Sequence, residues 1–315
     1  MNTIIKKISF LFDKLLHDRR QLMCSFITLF MTWLPDKLYL KLLFYFRLGY
    51  WMDFDDPRSY CEKMQWLKLY NQKADYVTLV DKYKVKDYVS NKIGSEYVIK
   101  TFGVWNRSED IEWDILPQKF VLKTTNGGGG TGVVICNDKY NLNKRETIEK
   151  LNLSLKQDIY KKLKEWPYKY VSHQIIAEEL LEERGQKSPH DYKVMCFDGK
   201  VKLIEFHEGR YTDHHTQDFY DTEWNKTKIT QGAYGEFSEK VAPKPALLDD
   251  MIRLSEVLSE GIPHCRVDWY IVNKSLYFGE ITFFDGSGLC PWDRKEDDLM
   301  MGSWITLPAK TIDKN

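Results

Sequence analysis

Residues 266–282 read RVDWYIVNKSLYFGEIT, two largely apolar stretches separated by a short polar turn. If this segment folds as a hairpin that turns symmetrically about its central lysine, Asp268 faces Glu280. In the same register Arg266 faces Thr282, and all four side chains lie on one face of a sheet because side chains alternate along a strand. Two opposed carboxylates repel each other, so the pair predicts a bound cation, and hard oxygen ligands suit Mg²⁺. The alternative is an exposed polar face whose register differs by one residue.

A second informative stretch, residues 120–133, reads FVLKTTNGGGGTGV. Four consecutive glycines are entropically costly to order, and they are typical of a loop whose backbone N–H groups approach an anion. The preceding strand would direct Lys123 into the same space as a positive charge for phosphate. The GxxxxGK[ST] pattern of a P-loop does not occur here. A mobile surface loop without a ligand is the alternative.

Acidic residues end a third stretch, residues 173–183, which reads HQIIAEELLEE. The apolar strand runs into Glu178 and Glu179, where it would meet a nucleotide base and ribose; a solvated helix start is equally consistent. Downstream, Asp191 and Lys193 share one strand face. Lys193 would therefore reach a phosphate or form a plain surface ion pair.

The polar stretch at residues 206–215 reads FHEGRYTDHH. Adjacent histidines suggest zinc, but the spacing of known zinc ligands is not present. Arg210 and His214 are instead candidates for binding an anionic substrate, and a solvated polar loop is the alternative.

The composition argues against a nucleic-acid-binding protein that depends on bulk positive charge, because 46 Lys and Arg balance 46 Asp and Glu. Six cysteines are scattered without a CxxC or metal-ligand spacing. We therefore expect reduced thiols and a cytoplasmic protein.

The N-terminal segment differs from the rest of the chain. Residues 1–50 hold eight Lys and Arg against three Asp, and an apolar run extends from Leu22 to Leu34. That run is too short to span a bilayer. Residues 1–52 are expected to form either a helical pair packed on the main body or a basic amphipathic segment on the anionic inner leaflet.

The order of elements predicts a mixed α+β fold. Ser59 and Glu62 fit a capping box that starts a helix ending near Tyr70. Further helices are expected over residues 75–92, 143–164 and 246–259. Strands are expected over residues 98–102, 120–124, 133–136, 192–197, 201–206, 266–272 and 276–283, with another from His173. Helices mixed with antiparallel hairpins do not fit a doubly wound parallel sheet. Predicted boundaries divide the chain into residues 1–52, 53–117, 118–185 and 186–315.

In this order, the lysine strand, glycine loop, acidic strand end and carboxylate hairpin resemble the ATP-grasp superfamily. More closely, the chain resembles the TupA-like ATP-grasp proteins of bacterial surface-polysaccharide gene clusters. The stretches that carry the resemblance are EKMQWLKLY at 62–70, VDKYKVK at 80–86, Arg210 followed by Tyr220, Asp221 and Trp224, and YFGEITFFDGSG at 277–288. The resemblance covers roughly residues 53–310 and implies a nucleotide held between two antiparallel sheets.

The resemblance also implies roles for individual residues. The expected phosphate and nucleotide contacts are Lys84 or a neighbour within Lys82–Lys86, Lys123, the loop of Gly128, Gly129, Gly130, Thr131 and Gly132, then Glu178, Glu179, Leu181, Asp191 and Lys193. Asp268 and Glu280 would hold Mg²⁺. The superfamily's usual third ligand, an asparagine, is replaced by Thr282, a weaker ligand.

Resemblance further implies a carboxylate–amine ligase that uses ATP and Mg²⁺. A substrate carboxylate would attack ATP to give an acyl phosphate, and an amine would then displace phosphate. Lys123 would neutralise phosphate charge, Arg266 would stabilise the acyl phosphate, and Gly286, Ser287 and Gly288 would lie over the acceptor. The expected substrates are a carboxylated sugar or glycan and an amine or amino acid. The alternatives are a glycosyltransferase, for which only Asp53-Phe-Asp55 offers a formal DxD motif, and a non-catalytic nucleotide-binding protein.

Overall fold

The structure, a computed structural model, describes residues 19–128, 130–183, 189–209, 215–232 and 236–311. At the N-terminal side, helices α1 (Arg19–Phe30) and α2 (Asp36–Leu48) pack against each other and against the main body. The Tyr39 hydroxyl, for example, donates to the Lys162 carbonyl at 2.7 Å. Helix α2 ends at Gly49, whose φ of 86° permits its N–H to bond the Tyr45 carbonyl. Within the described ranges, no helix is both long and apolar enough to cross a bilayer.

Helix α3 (Tyr60–Tyr70) begins with the predicted capping box. The Ser59 hydroxyl accepts the Glu62 N–H at 3.2 Å, and the Glu62 carboxylate accepts the Ser59 N–H at 3.0 Å. These two bonds satisfy backbone donors that have no partner within the helix. Most of the helix is buried, and its apolar side chains are part of the larger hydrophobic core.

The single helix predicted over residues 75–92 is wrong, because the chain forms two helices there. They are α4 (Asp75–Val80) and α5 (Val85–Ile93). The Asp81 carboxylate accepts the backbone N–H groups of Tyr83 and Lys84 at 2.9 and 3.1 Å, which replaces helical bonds by a turn.

The helix predicted over residues 143–164 is also divided, into α6 (Lys144–Leu155) and α7 (Ile159–Leu163). Asp158 caps the second helix by accepting the Lys161 N–H at 2.7 Å. In both cases an aspartate side chain competes with the helical backbone bonds, and the hydrophobic periodicity does not reveal that competition.

The described strands form two antiparallel sheets, which confirms the mixed α+β architecture. The small sheet has the order β1-β4-β2-β3, and the large sheet has the order β7-β6-β5-β8-β9. The strands are β1 (Thr101–Trp105), β2 (Phe120–Thr124), β3 (Val134–Cys136), β4 (Ile175–Glu178), β5 (His190–Phe197), β6 (Lys200–Glu208), β7 (Thr216–Tyr220), β8 (His264–Val272) and β9 (Ser275–Thr282).

The strand expected at residues 98–102 lies further along the chain, at β1. Val98 itself forms an isolated parallel bridge with Phe278 of β9 and so connects the β1 segment to the large sheet. Helices α8 (Leu248–Leu258) and α9 (Lys295–Ser303) complete the described fold, and α9 packs on α3. The boundaries at residues 52, 117 and 185 stay predictions.

The β8–β9 hairpin has the predicted pairing at its polar end. Arg266 pairs with Thr282, and Asp268 pairs with Glu280. The turn differs from the prediction, because it is a two-residue turn at Asn273 and Lys274, whose φ angles are 49° and 65°.

A bulge beside Asp268 corrects the register. Trp269 pairs with Phe278, so Gly279 is the extra residue on β9. A side chain at Gly279 would lie 3.1 Å from the Asp268 carbonyl, which explains why glycine occupies this position. The bulge therefore sets the alignment of the two carboxylates.

Candidate active site

On the small sheet, two lysines contact one buried carboxylate. Lys86 and Lys123 lie 2.5 Å from the two oxygens of Glu178, one on each side. Burial opposes ionisation of Glu178, but the two lysines outweigh it and lower the pKa of the carboxyl. Burial also lowers the pKa of Lys86. Two cations against one anion leave an excess positive charge at the end of β4, which suits a polyphosphate.

Lys84 is not the lysine that reaches this cluster. It is exposed, whereas Lys86 contacts Glu178 and also donates to the Thr101 hydroxyl at 2.8 Å. Lys82 extends to the other sheet, where it contacts Glu280 at 2.8 Å. The turn at residues 81–84 thus directs two neighbouring lysines to carboxylates of different sheets.

The glycine loop after β2 is anchored at its base. A Cβ at Gly132, whose φ is 80°, would overlap the Ser154 hydroxyl, and that hydroxyl also bonds the Thr124 hydroxyl at 2.7 Å. At the tip of the loop, Gly130 has a φ of 75° and open space around the position where a Cβ would lie. Glycine is therefore required at the base for close packing and at the tip for its backbone conformation. Gly128 and Thr131 are described, and Gly129 lies outside the described residues.

On the large sheet, a row of charged side chains crosses strands β5, β8 and β9. Lys193 is buried and contacts Asp268 at 2.6 Å and Asp191 at 3.0 Å. Arg266 contacts the same Asp268 carboxylate at 2.7 and 2.9 Å. The opposed carboxylates predicted from the hairpin are therefore flanked by three cations, Lys193, Arg266 and the Lys82 described above.

Arg266 is the centre of this charged row. It lies 3.5 Å from both Glu280 and the Thr282 hydroxyl, and it also pairs with Asp285. Burial disfavours its charge, but Asp268 and Asp285 outweigh burial and raise the pKa of the guanidinium well above its usual value. Similarly, Lys82 and Arg266 outweigh the effect of burial and lower the pKa of Glu280. These two shifts favour the charged forms of Arg266 and Glu280.

Comparison with known proteins identifies the family. A profile described as TupA-like ATPgrasp matches residues 62–306, well over half of the chain. The chain belongs to the TupA-like ATP-grasp family. The architecture described above, two antiparallel sheets with surrounding helices, is thus an ATP-grasp fold. A search of curated proteins gives no match.

Among solved structures, the chain aligns with D-alanine–D-alanine ligase from Bacillus anthracis complexed with ATP at 16% identity and a TM-score of 0.41, covering 71% of this chain and 63% of that chain. The corresponding ligase from Helicobacter pylori gives 15% identity and a TM-score of 0.42, covering 78% of this chain and 68% of that chain. L-amino acid ligase from Bacillus licheniformis gives 15% identity and a TM-score of 0.39, covering 67% of this chain and 42% of that chain.

The carboxylates of the hairpin are of the kind that bind Mg²⁺ together with phosphate oxygens. The described residues contain no cluster of three His, Cys, Asp or Glu side chains that would hold a metal alone. Asp268 and Glu280 supply two carboxylates on adjacent strands, and Mg²⁺ commonly binds through one or two carboxylates together with phosphate oxygens and water. The Thr282 hydroxyl donates to Glu280 at 3.3 Å, so here it orients that carboxylate.

The end of β4 leads into the segment predicted to contact adenine. The Glu179 N–H donates to the Lys100 carbonyl at 3.0 Å, which extends the small sheet by one bond. Leu181 is half-buried, and Glu183 accepts the Asn273 N–H at 2.7 Å. This segment therefore runs from the small sheet to the turn of the β8–β9 hairpin.

The loop at Gly286, Ser287 and Gly288 is held by two buried polar residues that the sequence analysis did not single out. All three loop residues have positive φ. Lys68 donates to the Ser287 carbonyl at 2.8 Å and contacts its hydroxyl at 2.7 Å, while Gln65 donates to the carbonyls of Ser287 and Gly288 at 3.0 and 2.9 Å. Burial lowers the pKa of Lys68 to about 8, although nearby Glu165 opposes this shift. The signal was a glutamine and a lysine three residues apart, interleaved with the apolar residues Met64, Trp66 and Leu67.

A buried histidine network was also missed. His207 bonds Glu205 at 2.5 Å and His215 at 2.8 Å, through different ring nitrogens. His207 uses one ring nitrogen for Glu205 and the other for His215, so both of its ring nitrogens are engaged by these two side chains. Arg210 and His214 lie outside the described residues, so their predicted role in substrate binding stays a prediction.

The formal DxD motif has a local structural role. The Asp53 carboxylate accepts the Asp55 N–H at 2.8 Å and closes a turn beside the buried Phe54.

Proposed function

We propose that this protein is an ATP-dependent carboxylate–amine ligase, which forms an amide through an acyl phosphate. The observation that carries the proposal is the pair of charged clusters on the two sheets, one around Glu178 and one around Asp268. Lys82 and Lys86 contact the two clusters from positions four residues apart. Because one short segment contacts both, we infer that the clusters adjoin a common cleft.

The proposed nucleotide site lies in this cleft. Lys86 and Lys123 would bind the phosphates, with the glycine loop of residues 127–132 over them and Lys193 on the opposite side. Backbone groups of residues 178–181 would meet the adenine, and Asp191 would lie near the ribose. The excess positive charge beside Glu178 supports the phosphate assignment.

Mg²⁺ would be held by Asp268 and Glu280, and when bound it supplies charge neutralisation for the phosphates. Arg266 lies between these carboxylates and the loop that begins at Asp285. We assign it the role of stabilising the acyl phosphate and its tetrahedral successor, because it is buried, charged and oriented by several acceptors.

The proposed substrates are a uronic-acid-containing glycan or its precursor and an amine or amino acid. This choice follows from the resemblance of the chain to TupA-like proteins. The loop of residues 286–288 would contact the acceptor, and Arg210 and His214 are proposed to bind its anionic groups. All six cysteines are free thiols, five of them buried, which agrees with a reducing, cytoplasmic setting.

We further propose that the α1–α2 pair contacts the inner leaflet. Large apolar side chains are exposed around the tip of this pair, with Phe30 57% and Trp33 77% exposed. Lys37, Lys161 and Lys162 are exposed close by, which suits anionic lipid headgroups. Flotation with vesicles of anionic phospholipid tests this contact: the double variant Phe30→Ser, Trp33→Ser should lose binding, and undiminished binding would refute the assignment.

The test of the ligase is ADP and phosphate release with Mg·ATP across a panel of uronic acids and amino acids. Wild type is compared with Glu280→Ala and with the control Glu149→Ala, which alters an exposed ion pair on α6. We expect turnover that requires both an acid and an amine, is lost in Glu280→Ala and is retained in Glu149→Ala.

Two outcomes would contradict the proposal. If wild type does not bind ATP at all, the nucleotide site is wrong. If ADP release needs only a sugar nucleotide and no amine, the reaction class is wrong.

A further inference from the structure

Helix α3 carries two buried polar side chains that the proposed reaction does not use. Gln65 and Lys68 are both 0% exposed, and they lie three residues apart, on one face of the helix. Their neighbours Met64 and Leu67 are buried apolar residues of the larger core. A lysine is almost never fully buried unless a partner compensates its charge, so the contacts of Lys68 are informative.

The Lys68 ammonium has three acceptors, and none of them is a carboxylate. It donates to Gln65 Oε1 at 3.1 Å, to the Ser287 carbonyl at 2.8 Å and to the Ser287 hydroxyl at 2.7 Å. Among the described residues Lys68 forms no salt bridge, and the charge of buried Glu165 offsets the effect of burial only in part. A buried ammonium without a salt bridge contributes little to stability, because its desolvation is costly. Its presence is better explained by what it holds.

Both side chains hold the same loop. Gln65 Nε2 donates to the carbonyls of Ser287 and Gly288 at 3.0 and 2.9 Å. Gly286, Ser287 and Gly288 have φ angles of 51°, 58° and 57°, a conformation that is costly for the serine. A Cβ at Gly288 would lie 2.3 Å from the Met64 Cβ and 2.8 Å from Gln65 Nε2. The loop is therefore packed directly on α3 and kept in a strained conformation by the two polar side chains.

The same loop carries a residue that contacts the charged row of the large sheet. Asp285, two residues before Ser287, pairs with Arg266. Arg266 in turn contacts the Asp268 carboxylate at 2.7 and 2.9 Å. The Ser287 N–H bonds the Phe284 carbonyl at 2.8 Å, which closes a turn around Asp285. Because this turn is tied to α3 at Ser287, the helix sets where the Asp285 carboxylate lies.

We infer that Gln65 and Lys68 anchor the loop of residues 285–288, and that Lys68 is a positioning residue that acts through Asp285 on Arg266. The inference rests on the proposed ligase function, in which Arg266 stabilises the acyl phosphate. Lys68 fixes the turn that carries Asp285, and Asp285 fixes the guanidinium beside the carboxylates of the β8–β9 hairpin. The stretch EKMQWLKLY of residues 62–70, which has no part in the nucleotide site, thereby acquires a role.

Replacing Lys68 by methionine should change the rate and leave the fold intact. Methionine is unbranched and favours helix, and the Ser287 carbonyl keeps Gln65 as a donor. Removing the ammonium also removes its desolvation cost, and Glu165, whose pKa burial already raises, can take up a proton. A displacement of about 1 Å at a catalytic group costs about 10²-fold in rate. We therefore expect Lys68→Met to keep its melting temperature and its Mg·ATP affinity, and to lose about 10²-fold in kcat.

The experiment measures ADP release with Mg·ATP and the acid and amine on which wild type turns over. Lys63→Met is the matched control, because Lys63 lies on the same helix and donates to the Ile305 carbonyl at 2.8 Å rather than to the loop. It should match wild type. Gln65→Met, which removes the other donor to the loop, should also lower kcat, and it takes the place of Lys68→Met if that variant yields no folded protein.

A double-mutant cycle separates positioning from an independent effect. Asp285→Asn weakens the link between the loop and Arg266, so that Lys68 has less to act through. In the Asp285→Asn background, Lys68→Met should therefore lower kcat only a few-fold. Independent effects would multiply, and Lys68→Met would then cost about 10²-fold in either background.

An unchanged kcat in Lys68→Met, a full loss in the Asp285→Asn background, or an equal loss in Lys63→Met would overturn the positioning role. If folded Lys68→Met loses Mg·ATP binding together with activity, the residue is structural and the positioning role is wrong. If wild type releases no ADP with any acid and amine of the panel, then the proposed ligase function fails, and the positioning role with it.

Discussion

Replacing Glu178 by glutamine provides a stringent test of the cluster on the small sheet. The substitution keeps the shape of the side chain but removes the anion that Lys86 and Lys123 contact, each at 2.5 Å. Both lysines are largely buried, so they are left as uncompensated charges or must lose protons. Breaking a buried ion pair by removing one partner costs about 3–5 kcal/mol.

This cost converts into a shift of the melting temperature. An unfolding entropy of about 2.1 cal/mol/K per residue over 315 residues gives about 0.66 kcal/mol/K. The expected decrease for Glu178→Gln is therefore about 5–8 °C. The control is Glu182→Gln, which removes an exposed ion pair with Lys119 and should lower the melting temperature by less than about 2 °C.

Mg·ATP should partly reverse the effect, because its phosphates would replace the lost carboxylate as the partner of both lysines. Differential scanning calorimetry with and without the nucleotide should thus show a larger ATP-induced increase in Glu178→Gln than in wild type. A variant that melts with wild type would refute the buried ion cluster. A smaller ATP-induced increase would refute the assignment of the two lysines to phosphate.

Three further outcomes are expected. Gly132→Ala should weaken ATP binding and lower the melting temperature more than Gly130→Ala. Both glycines have positive φ, but only Gly132 is packed against Ser154. Equal effects of the two substitutions in calorimetry and nucleotide titration would contradict the anchored loop. Ser59→Ala should cost about 1 kcal/mol in urea unfolding through the lost helix cap, and an unchanged midpoint would contradict it. Burial lowers the pKa of His264 to about 3, which is below the pKa of a histidine in the unfolded chain. The stability that comes from keeping this histidine neutral is therefore fully present above pH 6.5. It decreases as the pH falls toward 3, by about 1.4 kcal/mol per pH unit. His264→Gln should flatten that dependence in urea unfolding at a series of pH values, and an unchanged slope would contradict it.

The pairing within the β8–β9 hairpin was predicted well because strand alternation and the pairing of polar residues are local properties. Asp268 was paired correctly with Glu280. The turn, however, was predicted to be centred on Lys274, whereas it is centred between Asn273 and Lys274. The bulge at Gly279 compensates for the two-residue turn. The sequence pattern allowed the correct pairing but did not reveal the backbone irregularity that produces it.

Other features could not be predicted because they depend on contacts between distant parts of the chain. Lys68 reaches Ser287, 219 residues away, and nothing near either residue indicates the other. The hydrogen bond between His207 and His215 depends on the pairing of β6 with β7, which brings the two histidines together. For the lysines within residues 82–86, the sequence indicated a cluster, and their role toward phosphate stays a prediction. The turn formed by Asp81 decides which of them contact the carboxylates of the two sheets.

The short segment that carries Lys82 and Lys86, the turn at residues 81–84 and the start of α5, couples the two sheets energetically. Each lysine contacts a carboxylate of a different sheet, so a change in one contact strains the segment that supports the other. Coupling of this kind is reciprocal. If bound nucleotide favours one relative arrangement of the two sheets over another by some factor, then that arrangement binds nucleotide more tightly by the same factor. Substitutions far from the cleft that alter how the sheets meet, such as at the bridge between Val98 and Phe278, are therefore expected to appear as changes in affinity rather than in chemistry.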